Sequence, residues 1–263
     1  MDRLLLVIST FCFLFGFGYT MHALGARTYR RSRLNMVMML AGFLFQTAFL
    51  YVRGEAVGRC PLTTTFEVLI FFCWSMVLFY LLIGPAYRLS LLGLFTSPLV
   101  FLLQVGALLM PAQPAVRAKE PLSTWLELHA AISIVAYGAF ALACVAGVMY
   151  LAQERQLKTH QFRSIFYHLP PIHDLAVANS RLILTGFVLF TLGLFAGVMH
   201  GSAHVHALQI VSVALWLVYG MIILATFWRR ISPRRVALLS VGAFSIMLLT
   251  LWGVQLIPKE TVL

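Results

Sequence analysis

Apolar residues run through this chain in eight long stretches, near residues 3–23, 36–52, 66–86, 88–110, 124–152, 182–200, 207–228 and 236–257. Basic and turn-forming residues gather between them. A helix of about 20 apolar residues crosses a hydrocarbon core of about 30 Å. Backbone polar groups in lipid must bond within their own segment, so uninterrupted runs of this kind predict helices. The second stretch is short and the fifth long, so their ends are the least defined. The expected fold is all-α, a polytopic membrane bundle of about eight transmembrane helices, with residues 1–263 forming one integral membrane domain.

Composition makes lipid the solvent. Hydrophobic residues are 61% of the chain, charged residues 10%, and the mean hydropathy is +0.92. A soluble domain of this length has too little interior for that much apolar surface. The basic residues then set the orientation. Arg27, Arg30, Arg31, Arg33, Arg88, Arg155, Lys158, Arg163, Arg181, Arg229, Arg230, Arg234 and Arg235 follow the odd-numbered stretches, which is thirteen of nineteen Lys and Arg. Arg3, Arg53, Arg59, Arg117, Lys119 and Lys259 fall on the other side. The expectation is a bacterial cytoplasmic membrane protein with both termini outside. The formal charge of +11 is then mainly topology and contact with anionic lipid, and no nucleic-acid partner is expected. Met1-Asp2-Arg3 gives almost no positive leader, and the arginine cluster follows the first stretch, which favours a retained helix over a signal peptide.

The histidines carry the candidate chemistry. In the fifth stretch His129, Ser133 and Tyr137 recur every four residues, one polar stripe on a helix face. Gly138, Ala139, Ala141, Ala143, Ala146 and Gly147 keep that helix thin and place it inside the bundle. The sixth stretch ends in Gly193, Gly197 and Gly201, with His200 on the same face and His204 and His206 just beyond. Such a ridge ordinarily serves close helix packing; a functional use is room for a flat macrocycle beside the histidine. Imidazoles converging at one membrane surface point to heme iron, and a His-x3-His-x-His cluster also suits zinc or copper. The structural alternative is that His129 merely bonds a neighbouring helix. Glu67 begins the third stretch after hydroxyl residues suited to capping, and Glu127 lies near His129. Arg53, Arg59, Arg117 and Lys119 share the expected outer side, as propionate partners or as solvated loop charges.

Other classes find little support. No Asp, Lys or Arg falls mid-span, which argues against an ion-coupled transporter. There is no CxxC pair, HExxH or phosphate loop, so an enzyme is not expected. The stretch Glu154–Arg181, broken by Pro170-Pro171, predicts an interfacial helix and a turn into the sixth span.

Several segments, in order, resemble the cytochrome c assembly protein superfamily, the heme-handling membrane proteins related to CcsA and CcmC. They are Pro61-Leu-Thr-Thr-Thr-Phe-Glu67, Leu128-His129-Ala-Ala-Ile-Ser-Ile-Val-Ala-Tyr137, Met149-Tyr150-Leu-Ala-Gln153, Gly193-Leu-Phe-Ala-Gly197-Val-Met-His200 and Val213-Ala-Leu-Trp216-Leu-Val-Tyr219. The nearest branch is HemX-like and YpjD-like. The resemblance implies a b-type heme, held stably or in passing, with His129 matching the first axial ligand. His200, His204 and His206 all fall near the second, with His200 favoured by its glycine face. The family's Trp-x-Trp-Asp signature belongs between helices six and seven, and this chain has neither Trp nor Asp there. What is implied is an accessory of cytochrome c biogenesis or heme homeostasis, meeting heme, lipid and other cytochrome-maturation or heme-synthesis proteins. The alternatives are a metal or metallo-tetrapyrrole tolerance or transport protein, and a scaffold regulating a tetrapyrrole-synthesis enzyme.

Overall fold

The computed structural model describes residues 2–25, 33–86, 92–111, 123–159, 171–200 and 207–256. Helices are the only regular elements among them: α1 (Asp2–Gly25), α2 (Arg33–Val57), α3 (Thr65–Ala86), α4 (Leu92–Leu108), α5 (Thr124–Thr159), α6 (Ile172–Met199), α7 (Ala207–Trp228) and α8 (Pro233–Leu256). One helix falls on each apolar stretch. Among the described residues α1, α2, α3, α5, α6 and α7 are long and apolar enough to cross a membrane. α4 is equally apolar but has 17 residues and carries Pro98. Large side chains such as Phe11, Leu44, Val198 and Leu249 are exposed, as lipid-facing residues must be. The chain is a multi-pass membrane protein.

Three helices run well beyond their predicted bounds, the first being α2, which spans Arg33–Val57 against the predicted 36–52. α5 runs 36 residues, a length of about 54 Å at 1.5 Å per residue, well beyond a hydrocarbon core of about 30 Å. α6 starts ten residues before the predicted 182, where Asp174 N–H donates to the Pro171 carbonyl at 2.9 Å. Its extra turns are amphipathic: Leu175, Ala178, Asn179 and Leu182 are buried while Arg181 is exposed. Arg181, expected in a loop, is therefore a helical residue.

The chain divides into two compact units, Met1–Leu122 with Gln156–Asp174, and Ser123–Arg155 with Leu175–Leu263. In the first unit α1 lies against α2 and α4, and α3 against α2 and α4. Its core joins Leu6 at the start of α1, Phe49 and Leu50 near the end of α2, Phe66 and Ile70 at the start of α3, and Ala107 at the end of α4. Polar bonds tie the same helices: Gln46 Nε2 donates to Gln104 Oε1 at 3.1 Å, and Gln104 Nε2 donates to the Leu6 carbonyl at 3.2 Å. α2 stops because Gly58, at φ 73°, takes the left-handed conformation and donates its N–H to the Gly54 carbonyl.

In the second unit an aromatic group joins α5, α6 and α7. The Phe140 ring stacks on Tyr219 at 3.7 Å and meets Phe190 edge-on at 6.2 Å. Trp216 stacks on Phe187 and donates Nε1–H to Thr191 Oγ1 at 2.9 Å. Asn179 of α6 donates to Ser240 of α8 at 3.3 Å, and Arg234 of α8 pairs with Glu154 of α5 at 3.4 Å. Small residues set α5 deep: two-thirds of its apolar window (67%) is buried, against 17–50% in the other five spanning helices.

Candidate functional site

α5 begins at Ser123. Its carbonyl accepts from Leu126 N–H (2.9 Å) and Glu127 N–H (3.2 Å), and its hydroxyl accepts from Leu126 N–H (3.3 Å), so Ser123 is the N-cap. The same hydroxyl shares a 2.8 Å hydrogen bond with His200 Nδ1, in a direction set by the imidazole tautomer. His200 lies just past the end of α6 and is exposed. One side chain thus starts α5 and holds the far end of α6.

His129 sits six residues into α5 from that cap, half-buried, and its Nδ1 lies 2.8 Å from the Gly193 carbonyl of α6. A carbonyl only accepts, so Nδ1 carries the proton and the neutral ring keeps its lone pair on Nε2. The glycine ridge explains the closeness. A Cβ on Gly197 would stand 2.8 Å from His129 Nδ1, and one on Gly193 would stand 2.7 Å from Ser133 Oγ. The ridge receives the imidazole and hydroxyl of α5, the close helix packing that such a ridge ordinarily serves. Ser133 is buried there, and its Oγ has no hydrogen-bond partner among the described residues. Tyr137, next on the stripe, packs its ring against Phe190 at 5.6 Å.

The two histidines hold different levels. Ser123 and His129 are six residues apart on α5, and Gly193 and His200 are seven apart on α6. Each spacing is a rise of about 9–10 Å, so the two anchoring bonds lie about two turns apart.

Glu67 and Arg59 belong to the other unit. Glu67 is fully buried, and its Oε1 accepts from Arg53 Nε at 2.8 Å. Its Oε2 accepts from Thr63 N–H (2.9 Å), the Thr63 hydroxyl (2.6 Å) and Thr64 N–H (3.3 Å), while Glu67 N–H donates to Thr64 Oγ1 (3.2 Å). The last two bonds are the reciprocal pair of a capping box at the start of α3. Glu67 is thereby occupied in capping α3 and neutralising Arg53, a role legible in the spacing Thr64-x-x-Glu67. Arg53, 7% exposed, spends its charge on that carboxylate and is no solvated loop cation. Arg59 is half-buried, with its Nε lacking a hydrogen-bond partner among the described residues. Arg117, His204 and His206 lie outside the described residues. Among the described residues no three His, Cys, Asp or Glu side chains gather as a metal-binding group.

Sequence reasoning missed Ser123 and the Gly193 carbonyl as partners of the two histidines. Ser123 ahead of Thr124 had a local signal, as an N-cap. The carbonyl had none, since a backbone acceptor has no sequence identity.

The family model described as "Cytochrome C assembly protein" matches residues 62–261, which takes in α3 through α8. Protein HemX of Brevibacillus brevis is 28% identical over 172 residues, covering 65% of this chain and 63% of that protein. The cytochrome c biogenesis protein CcsA of Chlamydomonas reinhardtii is 26% identical, covering 61% of this chain and 46% of the relative. Protein NrfI of Wolinella succinogenes is 31% identical, covering 59% of this chain and 17% of its own length. The matched region spans less than two thirds of each of these relatives.

Proposed function

The chain belongs to the cytochrome c assembly protein family, and from that premise we propose that it handles heme as an accessory of cytochrome c biogenesis or heme homeostasis, with His129 as an axial ligand. One observation carries this reading: His129 Nδ1–H is committed to the Gly193 carbonyl, which leaves Nε2 as the basic nitrogen. A hydrogen bond of that kind fixes the tautomer and the ring orientation of metal-binding histidines and raises their basicity. The donor set therefore suits an imidazole-ligated iron. Heme, when bound, supplies a redox-active iron; this chain's part is to hold and orient it.

The second ligand comes from His200, His204 or His206. His200 takes that place on releasing Ser123, because its present bond is two turns of α5 away from the bond that fixes His129. Tyr137 and Ser133 order the α5–α6 junction beneath the imidazole. We assign the site to the outer face of a bacterial cytoplasmic membrane, a reading supported by the excess of Lys and Arg in the connections on the other side.

The test is an absorption spectrum of the purified protein, oxidised and dithionite-reduced, before and after reconstitution with hemin. The wild type should show a Soret band and sharp reduced α and β bands. His129→Ala should lose them, and His200→Ala should alter them if His200 is the second ligand. A wild-type protein that takes up no heme from hemin ends the proposal.

A further inference from the structure

Between α7 and α8, in the second unit, lies an open groove of about 880 Å³, within the range of about 300–1,000 Å³ typical of ligand sites. Its walls are apolar, with Met221, Leu224, Leu238 and Ile246 all exposed, and Trp228 and Arg229 close one end. We propose that this groove binds one anionic phospholipid, with an acyl chain along α7 and α8 and its phosphate at the arginines of the α7–α8 turn. The inference is independent of the heme reading.

Three observations support it. The first is depth. From Arg229 to Val218 the groove follows eleven residues of α7, a rise of about 16 Å, close to half of a hydrocarbon core of about 30 Å. The groove is therefore one leaflet deep, which fits a lipid better than a partner helix crossing the whole bilayer. The second is charge. Arg229, Arg230 and Arg235 are exposed at the turn and in no ion pair among the described residues, whereas Arg234 is paired with Glu154. Trp228, 81% exposed, stands at the same end, where indole rings mark the headgroup level. The third is shape. Arg230 has φ 45°, a left-handed conformation usually left to glycine, so the chain turns tightly directly after Arg229, the arginine that lines the groove. The side chains that line the groove include neither imidazole nor thiol.

Gly242 supplies the control. It lines the groove, and a Cβ placed there would meet nothing within 4 Å, so a side chain added at this position starts in open space. The experiment is native mass spectrometry of the full chain in detergent, titrated in parallel with phosphatidylglycerol and phosphatidylcholine of the same acyl chains. The wild type should retain a single phosphatidylglycerol with at least about tenfold preference, since each arginine near the surface favours anionic lipid. Arg229→Gln with Arg230→Gln should bring the two lipids level, and Gly242→Leu should remove the retained lipid of either kind. Equal retention of both lipids by the wild type overturns the proposal. So does retention unchanged by Gly242→Leu, or a dimer that Gly242→Leu dissociates, which would make the groove a surface for a second copy of the chain.

Discussion

Gly197 matters for what it leaves out. Its bare Cα lets the His129 ring sit against α6, and a methyl group there would stand 2.8 Å from Nδ1. Gly197→Ala should displace the imidazole from the Gly193 carbonyl and release the tautomer. The expected readout is a weakened and shifted set of reduced α and β bands, with the protein still folded; an unchanged spectrum would remove the glycine ridge from the site. Glu67 obeys a different physics. Breaking a buried ion pair leaves an uncompensated charge, so Glu67→Gln should destabilise the protein by about 3–5 kcal/mol, whereas Arg53→Met with Glu67→Leu should cost much less. Thermal unfolding of the two variants in detergent decides between that and a role in holding cofactor. In the latter case Glu67→Gln would alter the heme bands with little loss of stability.

At the level of elements, local sequence specified the helices and their caps well. Apolar run length placed all eight and the hydroxyl residues before Glu67 marked the start of α3, whereas α2 runs past the predicted 52 to Val57, where Gly58 ends it. The early start of α6 was less legible because polar residues on its exposed face resemble a loop when read as a linear string. How the helices approach one another was only partly visible. Gly42 of α2 illustrates this: a Cβ there would stand 2.5 Å from Cε1 of Phe13 on α1, and Ser9 Oγ donates to the Gly42 carbonyl at 2.9 Å. Gly42→Ala should separate α1 from α2 and cost about 1–3 kcal/mol, the usual penalty for overpacking. A stability within 0.5 kcal/mol of wild type, by the same unfolding measurement, would show that the Phe13 ring can move aside.

For the whole molecule the prediction concerns orientation. The proposed arrangement places the α2–α3 connection outside, and Cys60 lies there, half-buried, while Cys12, Cys73 and Cys144 lie within helices. A membrane-impermeant maleimide applied to intact cells should label Cys60, and a cysteine replacing exposed Arg230 should react only after permeabilisation. The opposite pattern inverts the topology and moves His129 to the cytoplasmic side. Sequence by itself determined that the chain is a multi-pass helical protein, because hydrophobic length and backbone satisfaction in lipid are local requirements. It also singled out His129 and the glycines of α6, because each is visible as a residue type at helical spacing. Only the tertiary structure decided what those residues face. Gly197 and Gly193 receive α5 itself, Glu67 answers Arg53 fourteen residues away, and Ser123 meets His200 across 77 residues of chain. Partners of that kind are fixed by how packed helices bring distant groups together, and no periodicity along one helix records its neighbour.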